Sequence, residues 1–126
     1  MAKVLIVDDE PDIILLLQVI LNKKGFEVSK ASDGREAYEM LVSEKVSPDL
    51  IISDVFMNGI SGPELLKKLK DIPGLKDIPV LFLSAEGSKS EQKALRGMSA
   101  GFIEKPFEIE NLYRVVDEAL SSRSKK

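Results

Sequence analysis

The 126-residue chain contains no cysteine and no histidine. The first absence excludes disulfides and zinc–thiolate sites; the second excludes imidazole acid–base catalysis and imidazole metal ligands. No apolar run approaches the roughly 20 residues of a membrane span, and Met1-Ala2-Lys3 leads straight into a strand with no room for a signal-peptide core. A cytoplasmic protein is therefore expected. Lys and Arg number 18 against 21 Asp and Glu, a net charge of −3 spread along the sequence. No basic stripe is available to neutralise nucleic-acid phosphates, so direct nucleic-acid binding is not expected. The chemistry that remains is that of carboxylates, hydroxyls and amines.

The length suits one domain, which at this size buries roughly two-thirds of its unfolded surface. Short apolar segments alternate with longer helical patterns five times, the signature of βαβ units and a mainly parallel sheet. Pro11 to Lys24 carries Ile13, Ile14, Leu16, Leu17, Ile20 and Leu21 at helical spacing, with Pro11 in the first turn and Gly25 just past the end. Three further helices are expected to open with capping boxes, Asp33 with Glu36, Ser61 with Glu64 and Ser88 with Glu91. The last helix, about Glu108 to Ser121, places Ile109, Leu112, Val115, Val116, Ala119 and Leu120 on one stripe. The end of the chain, Ser121 to Lys126, is polar and basic and reads as a frayed terminus. Leu50-Ile51-Ile52 and Val80-Leu81-Phe82-Leu83 are apolar without alternation, as central strands covered on both faces require.

Four of the apolar strands end on reactive side chains: Asp8 and Asp9, Asp54, Ser84, and Lys105. In an open α/β sheet the ligand lies outside the carboxyl ends of parallel strands, so these groups should meet at one small pocket suited to a phosphoryl group. In the usual order strand three lies beside strand one, which gathers two or three carboxylates. Each like-charge pair at ~4 Å costs on the order of 4 kcal/mol at an effective dielectric of 20, unless a cation neutralises it. A divalent ion is inferred. With only oxygen ligands at hand Mg²⁺ is the best candidate, held by carboxylates and waters, and Mn²⁺ could substitute. Pro106 restricts Lys105 to extended conformations, which can aim its amine at the acids. Ser84 supplies a short hydroxyl at the same edge, suited to a phosphoryl oxygen.

The segments Val7-Asp8-Asp9-Glu10-Pro11, Asp54-Val55-Phe56-Met57 leading to Gly62, Ser84-Ala85, and Phe102-Ile103-Glu104-Lys105-Pro106-Phe107 resemble, in order and spacing, the response-regulator receiver domains of two-component signalling. The resemblance covers essentially the whole chain. It implies a single-domain, doubly wound (βα)5 fold of the flavodoxin-like type, with a five-stranded parallel sheet in the order 2-1-3-4-5. Residues 3–121 would form the receiver and residues 122–126 a polar basic tail. It also implies that Asp54 is the phosphoacceptor, taking a phosphoryl group from a phosphohistidine on a sensor kinase or phosphotransfer protein. Asp8, Asp9, Asp54 and the backbone carbonyl of Phe56 would hold Mg²⁺, with Lys105 as the counter-ion.

By the same resemblance Ser84 closes on the new phosphoryl oxygen and Phe102 turns inward. The surface of the fourth helical segment, the fifth strand and the last helix then changes toward a downstream protein target. Because Phe102 lacks the hydroxyl of the tyrosine often found there, such switching must run on packing. Two features depart from or tune the pattern. Met57-Asn58-Gly59 replaces the usual Met-Pro, favouring positive backbone angles, a tighter turn and a more mobile loop. Phe56 and Glu86 flank the pocket where the lifetime of the phosphoryl group is tuned, without fixing its sign.

Three other functions share parts of this pattern. An aspartate-nucleophile phosphatase would need a second acid two residues after Asp54, where Phe56 stands. A nucleotide binder of the same fold would need a loop of Gly, Ser or Thr amides after strand one, where Asp8-Asp9-Glu10 would repel phosphate. A silent receiver acting only as a scaffold would not need the acids, Ser84 and Lys105. The expected protein therefore catalyses only its own phosphorylation and dephosphorylation. It is a monomer, with a phosphorylation-driven dimer as the alternative, and either stands alone or forms part of a longer regulator.

Overall fold

The computed structural model describes residues 2–43, 45–55, 57, 59–85, 99–105 and 107–124. Its elements are β1 (Lys3–Val7), α1 (Pro11–Lys23), β2 (Glu27–Ala31), α2 (Gly34–Val42), β3 (Leu50–Asp54), α3 (Gly62–Lys70), β4 (Val80–Ala85), β5 (Gly101–Lys105) and α4 (Ile109–Ser124). The five strands form one parallel sheet in the order β2-β1-β3-β4-β5. This is the doubly wound, flavodoxin-like architecture expected from the sequence. The helix opening at Ser88 and Glu91 falls on residues outside those described.

The apolar runs explain the layering. Successive residues of a strand face opposite sides of the sheet, and here both sides are covered. Leu50 and Ile52 join Val4, Ile6, Leu81 and Leu83 against Leu17, Leu21, Leu112 and Val116 of α1 and α4. Ile51 joins Leu5, Val7 and Phe82 against Ala37, Leu41, Leu65, Leu66 and Leu69 of α2 and α3. A run without alternation is thus what a strand between two helical layers needs.

Helix punctuation follows local chemistry. Pro11 opens α1, and Gly25, at φ 93°, closes it: its amide donates to the Asn22 carbonyl (3.0 Å) and that of Phe26 to the Leu21 carbonyl (3.1 Å). A glycine at that left-handed position lets the chain turn back without steric cost. At α3 the capping box forms in full. Glu64 N–H donates to Ser61 Oγ (3.3 Å) and Ser61 N–H to Glu64 Oε1 (3.2 Å). At α2 it shifts by one residue. Asp33 accepts from Glu36 N–H (2.8 Å), but Glu36 reaches back to Ser32 N–H (2.6 Å) rather than to the cap residue itself.

The chain end differs from expectation as well. With no Gly or Pro directly after Ser121 to stop it, α4 runs through Ser124, three residues past the expected end. Tyr113 of α4 ties this helix to α1, its hydroxyl donating to the Ile20 carbonyl at 2.8 Å, while the Lys24 ammonium lies 4.8 Å from its ring centre.

The α3 cap makes a pH-dependent prediction. Hydrogen bonds from the Ser61 backbone and hydroxyl, with Lys68 and Lys67 beyond, hold the Glu64 carboxyl below its ordinary value of 4.5. A depressed folded value means that the contribution is present above the unfolded value and is lost as pH falls through the folded one. The stability difference between the unmodified protein and Glu64→Gln should therefore be present at neutral pH and shrink below about pH 4.5 in urea unfolding. A difference that is constant across this range would contradict the cap. Ser61→Ala should cost about 1 kcal/mol.

Candidate functional site

The sheet delivers the reactive residues to one edge. Asp8 follows the last residue of β1, and its amide still donates to the Ala31 carbonyl of β2 (3.2 Å), so the backbone pairing holds it in place. Its side chain is fully buried, and Oδ1 accepts the Glu10 N–H at 2.9 Å. Asp9 and Glu10 beside it are exposed, Glu10 being the extended residue that precedes α1. Asp54 is the last residue of β3 and is half-buried; its Oδ1 accepts the Val55 N–H at 2.8 Å. One carboxylate oxygen from each of Asp8, Asp9, Glu10 and Asp54 lies within 4.8 Å of the others.

Asp8, Asp9 and Asp54 thus come together as expected, and Glu10 joins them. Its place was signalled by the run of three acids, but a residue preceding a helix is easily read as serving the helix alone. Four carboxylates this close repel strongly, and Asp8 sits where water screens least. The donor set is hard oxygen throughout, with one buried acid, one half-buried and two exposed. That combination fits a divalent ion of the Mg²⁺ or Mn²⁺ kind that keeps several of its waters.

Among the described residues the buried polar side chains are Asp8, Ser53 and Ser84. All three stand at the carboxyl ends of strands. Asp54 lies opposite Leu83 in the register of β3 and β4, so Ser84 is the next residue along the neighbouring strand. Lys105 ends β5 opposite Ala85, at the same edge; its side chain falls outside the described residues. Phe56, Asn58, Glu86 and Pro106 do so entirely. Gly59 has φ 77°, the positive angle expected of the Asn-Gly pair. Phe102 is half-buried on β5, directly across from Phe82, with ring centres 6.3 Å apart and planes tilted by 33°.

Comparison with known proteins agrees with this arrangement. Residues 4–117 match the family model described as the response regulator receiver domain. The chain is 35% identical over 128 residues to the phosphate regulon transcriptional regulatory protein PhoB of Rhizobium meliloti, covering 99% of the chain and 54% of that protein. It is 33% identical over 125 residues to sporulation initiation phosphotransferase F of Bacillus subtilis, covering 97% and 96% of the two. Its fold superposes on the Vibrio cholerae chemotaxis protein CheY4 with a TM-score of 0.84 at 35% identity, over 94% of the chain and 98% of that structure. The chain spans about half or less of the length of most of the curated relatives it matches.

The acid cluster predicts a linkage between metal and stability. An ion that binds only the folded state raises the unfolding temperature with concentration. Mg²⁺ or Mn²⁺ should raise it well beyond a monovalent salt of equal ionic strength, and Asp8→Asn should remove most of that increment in a thermal-unfolding titration. An equal response to the two kinds of salt would speak against a metal at this site.

Proposed function

The chain belongs to the response regulator receiver domain family, and from that premise we propose that it is a signalling switch whose Asp54 accepts a phosphoryl group from a phosphohistidine on another protein. The observation that carries this reading is the cluster itself: Asp54 ends a central strand within 4.8 Å of three further carboxylates, at an edge that also holds buried Ser84. The chain contains no histidine, so the donor imidazole lies on a sensor kinase or a histidine phosphotransfer protein.

In the transfer a carboxylate oxygen of Asp54 bonds to phosphorus as the phosphorus–nitrogen bond of the donor breaks, and the imidazole leaves with the electron pair. A carboxylate nucleophile needs no base. Asp8, Asp9 and Asp54, with the Phe56 carbonyl, would hold Mg²⁺, and a carboxylate oxygen of Glu10 lies within 4.8 Å of those of the three aspartates. The bound ion would supply positive charge toward the phosphoryl oxygens, which is most of what phosphoryl transfer asks of a protein. Lys105, whose main chain ends β5 at the same edge, would supply an ammonium, and the Ser84 hydroxyl would donate to a phosphoryl oxygen once it arrives. Phe102, packed against Phe82, then repacks inward and alters the face presented to a downstream protein.

A protein donor is favoured by the surface beside the acids. On α1, Leu15, Leu16 and Val19 are 60%, 47% and 49% exposed, although the helix has ample apolar residues for its buried side. A groove lined by Asp8, Asp9, Pro11, Leu15, Gln18 and Lys30 joins this stripe to the cluster. An apolar patch contiguous with a reactive site suits a protein partner better than a small free ester. Among the described residues no helix is long and apolar enough to cross a membrane, and the reading places the protein in the cytoplasm, acting as a monomer by contact.

Incubation with acetyl phosphate and Mg²⁺ should add one phosphoryl group, located at Asp54 by peptide mass spectrometry. Asp54→Asn, Lys105→Ala and omission of the metal should each reduce the incorporation at least tenfold. Hydrolysis of an external phosphate ester should stay at background. Incorporation at another residue, or none at all, would refute the reading.

A further inference from the structure

Of the three buried polar side chains among the described residues, Asp8 and Ser84 have roles in the proposed switch, whereas Ser53 has none so far. A buried hydroxyl requires a partner, and Ser53 Oγ donates to the backbone carbonyl of Asp54 at 2.9 Å. By strand alternation Ser53 shares the face of Ile51, beneath α2 and α3, while Asp54 shares that of Ile52. Ser53 therefore acts on Asp54 through the main chain and not through the carboxylate.

Gly62, the first residue of α3, approaches the same carbonyl from the helix side. Its amide donates to the Val55 carbonyl at 3.0 Å. A Cβ at this position would overlap the Asp54 carbonyl oxygen and lie 2.8 Å from Cε1 of Phe82. The requirement for glycine is one of space, since the backbone angle is ordinary. On the other side of the residue, the Val55 amide holds Asp54 Oδ1 at 2.8 Å. The end of β3 is thus pinned by a hydroxyl, by the close approach of a helix start, and by an amide on the carboxylate itself.

We propose that Ser53 and Gly62 are positioning residues, which fix the main chain of Asp54 and so aim its carboxylate at the incoming phosphorus. The proposal rests on Asp54 being the phosphoacceptor. A nucleophile displaced by about 1 Å loses on the order of 10²-fold in rate, so a small rotation of this peptide is costly.

The test compares initial rates of phosphorylation by acetyl phosphate at saturating Mg²⁺ in the unmodified protein, Ser53→Thr and Ser53→Val. Thr and Val share a shape and differ in the hydroxyl, so their ratio cancels the cost of added volume. The maximal rate of Ser53→Val should fall on the order of tenfold below that of Ser53→Thr. Mg²⁺ affinity, the half-saturating donor concentration and the cooperativity of unfolding should match between the two. Gly62→Ala should lose at least as much rate, with Asp54 still the modified residue.

Equal maximal rates for the Thr and Val variants would overturn the proposal. So would a parallel fall of rate, metal affinity and melting temperature in Ser53→Val, since that pattern marks a purely structural hydroxyl. Should the added methyl prevent folding, the unmodified protein against Ser53→Ala compares the hydroxyl present and absent without it. An unmodified protein that takes no phosphoryl group would sink the phosphoacceptor reading itself, a result distinct from equal rates within an active series.

Discussion

Mutual repulsion among carboxylates is the constraint around which this molecule is arranged. Four acids converge within 4.8 Å at one end of the sheet, and one of them, Asp8, is fully buried. Left alone, such a cluster pushes the ends of β1 and β3 apart. The fold opposes that push with the most apolar part of the chain, because β1 and β3 are adjacent and both are sandwiched between helical layers. The stress is thereby stored as a demand for positive charge. In the proposed switch a bound cation would meet that demand, and a phosphoryl group on Asp54 would alter its balance.

The two faces of the sheet divide the labour. The layer of α1 and α4 is apolar where it meets the sheet and, on α1, partly apolar outside, so it both completes the core and offers a surface beside the acids. The layer of α2 and α3 works through its helix starts. Gly34, first in α2, lies so close to the Ile60 carbonyl that a Cβ there would overlap it, as one at Gly62 would overlap that of Asp54. Two glycines at equivalent positions of neighbouring helices thus let these helix starts approach the Ile60 and Asp54 carbonyls.

Much of this was legible in the sequence, for identifiable reasons. Uninterrupted runs such as Leu50-Ile51-Ile52 announce a strand covered on both faces, and parallel topology then sends every strand end to one side. Asp8, Asp9, Asp54 and Ser84 could be placed together on that ground alone. What stayed hidden were effects carried by the main chain. Ser53 reads as a small residue in an apolar run, and only the three-dimensional structure shows its hydroxyl on the carbonyl of the next residue. Glu36 capping Ser32 rather than Asp33, and α4 running to Ser124, are shifts of one to three residues set by local geometry that composition does not encode.

The bond between Tyr113 and Ile20 bears on how the chain is made. At the end of α1 the Lys24 amide turns to Leu21, and the Ile20 carbonyl, which an ideal helix would pair with that amide, is taken by the Tyr113 hydroxyl 93 residues later. The first helix is thus finished by a side chain from the last. During synthesis from the amino terminus, its final turn acquires this partner only after α4 has been made and has docked. Until then the local bonds at Gly25 would close the helix while the Ile20 carbonyl is left to water, and the docking of α4 would replace that water.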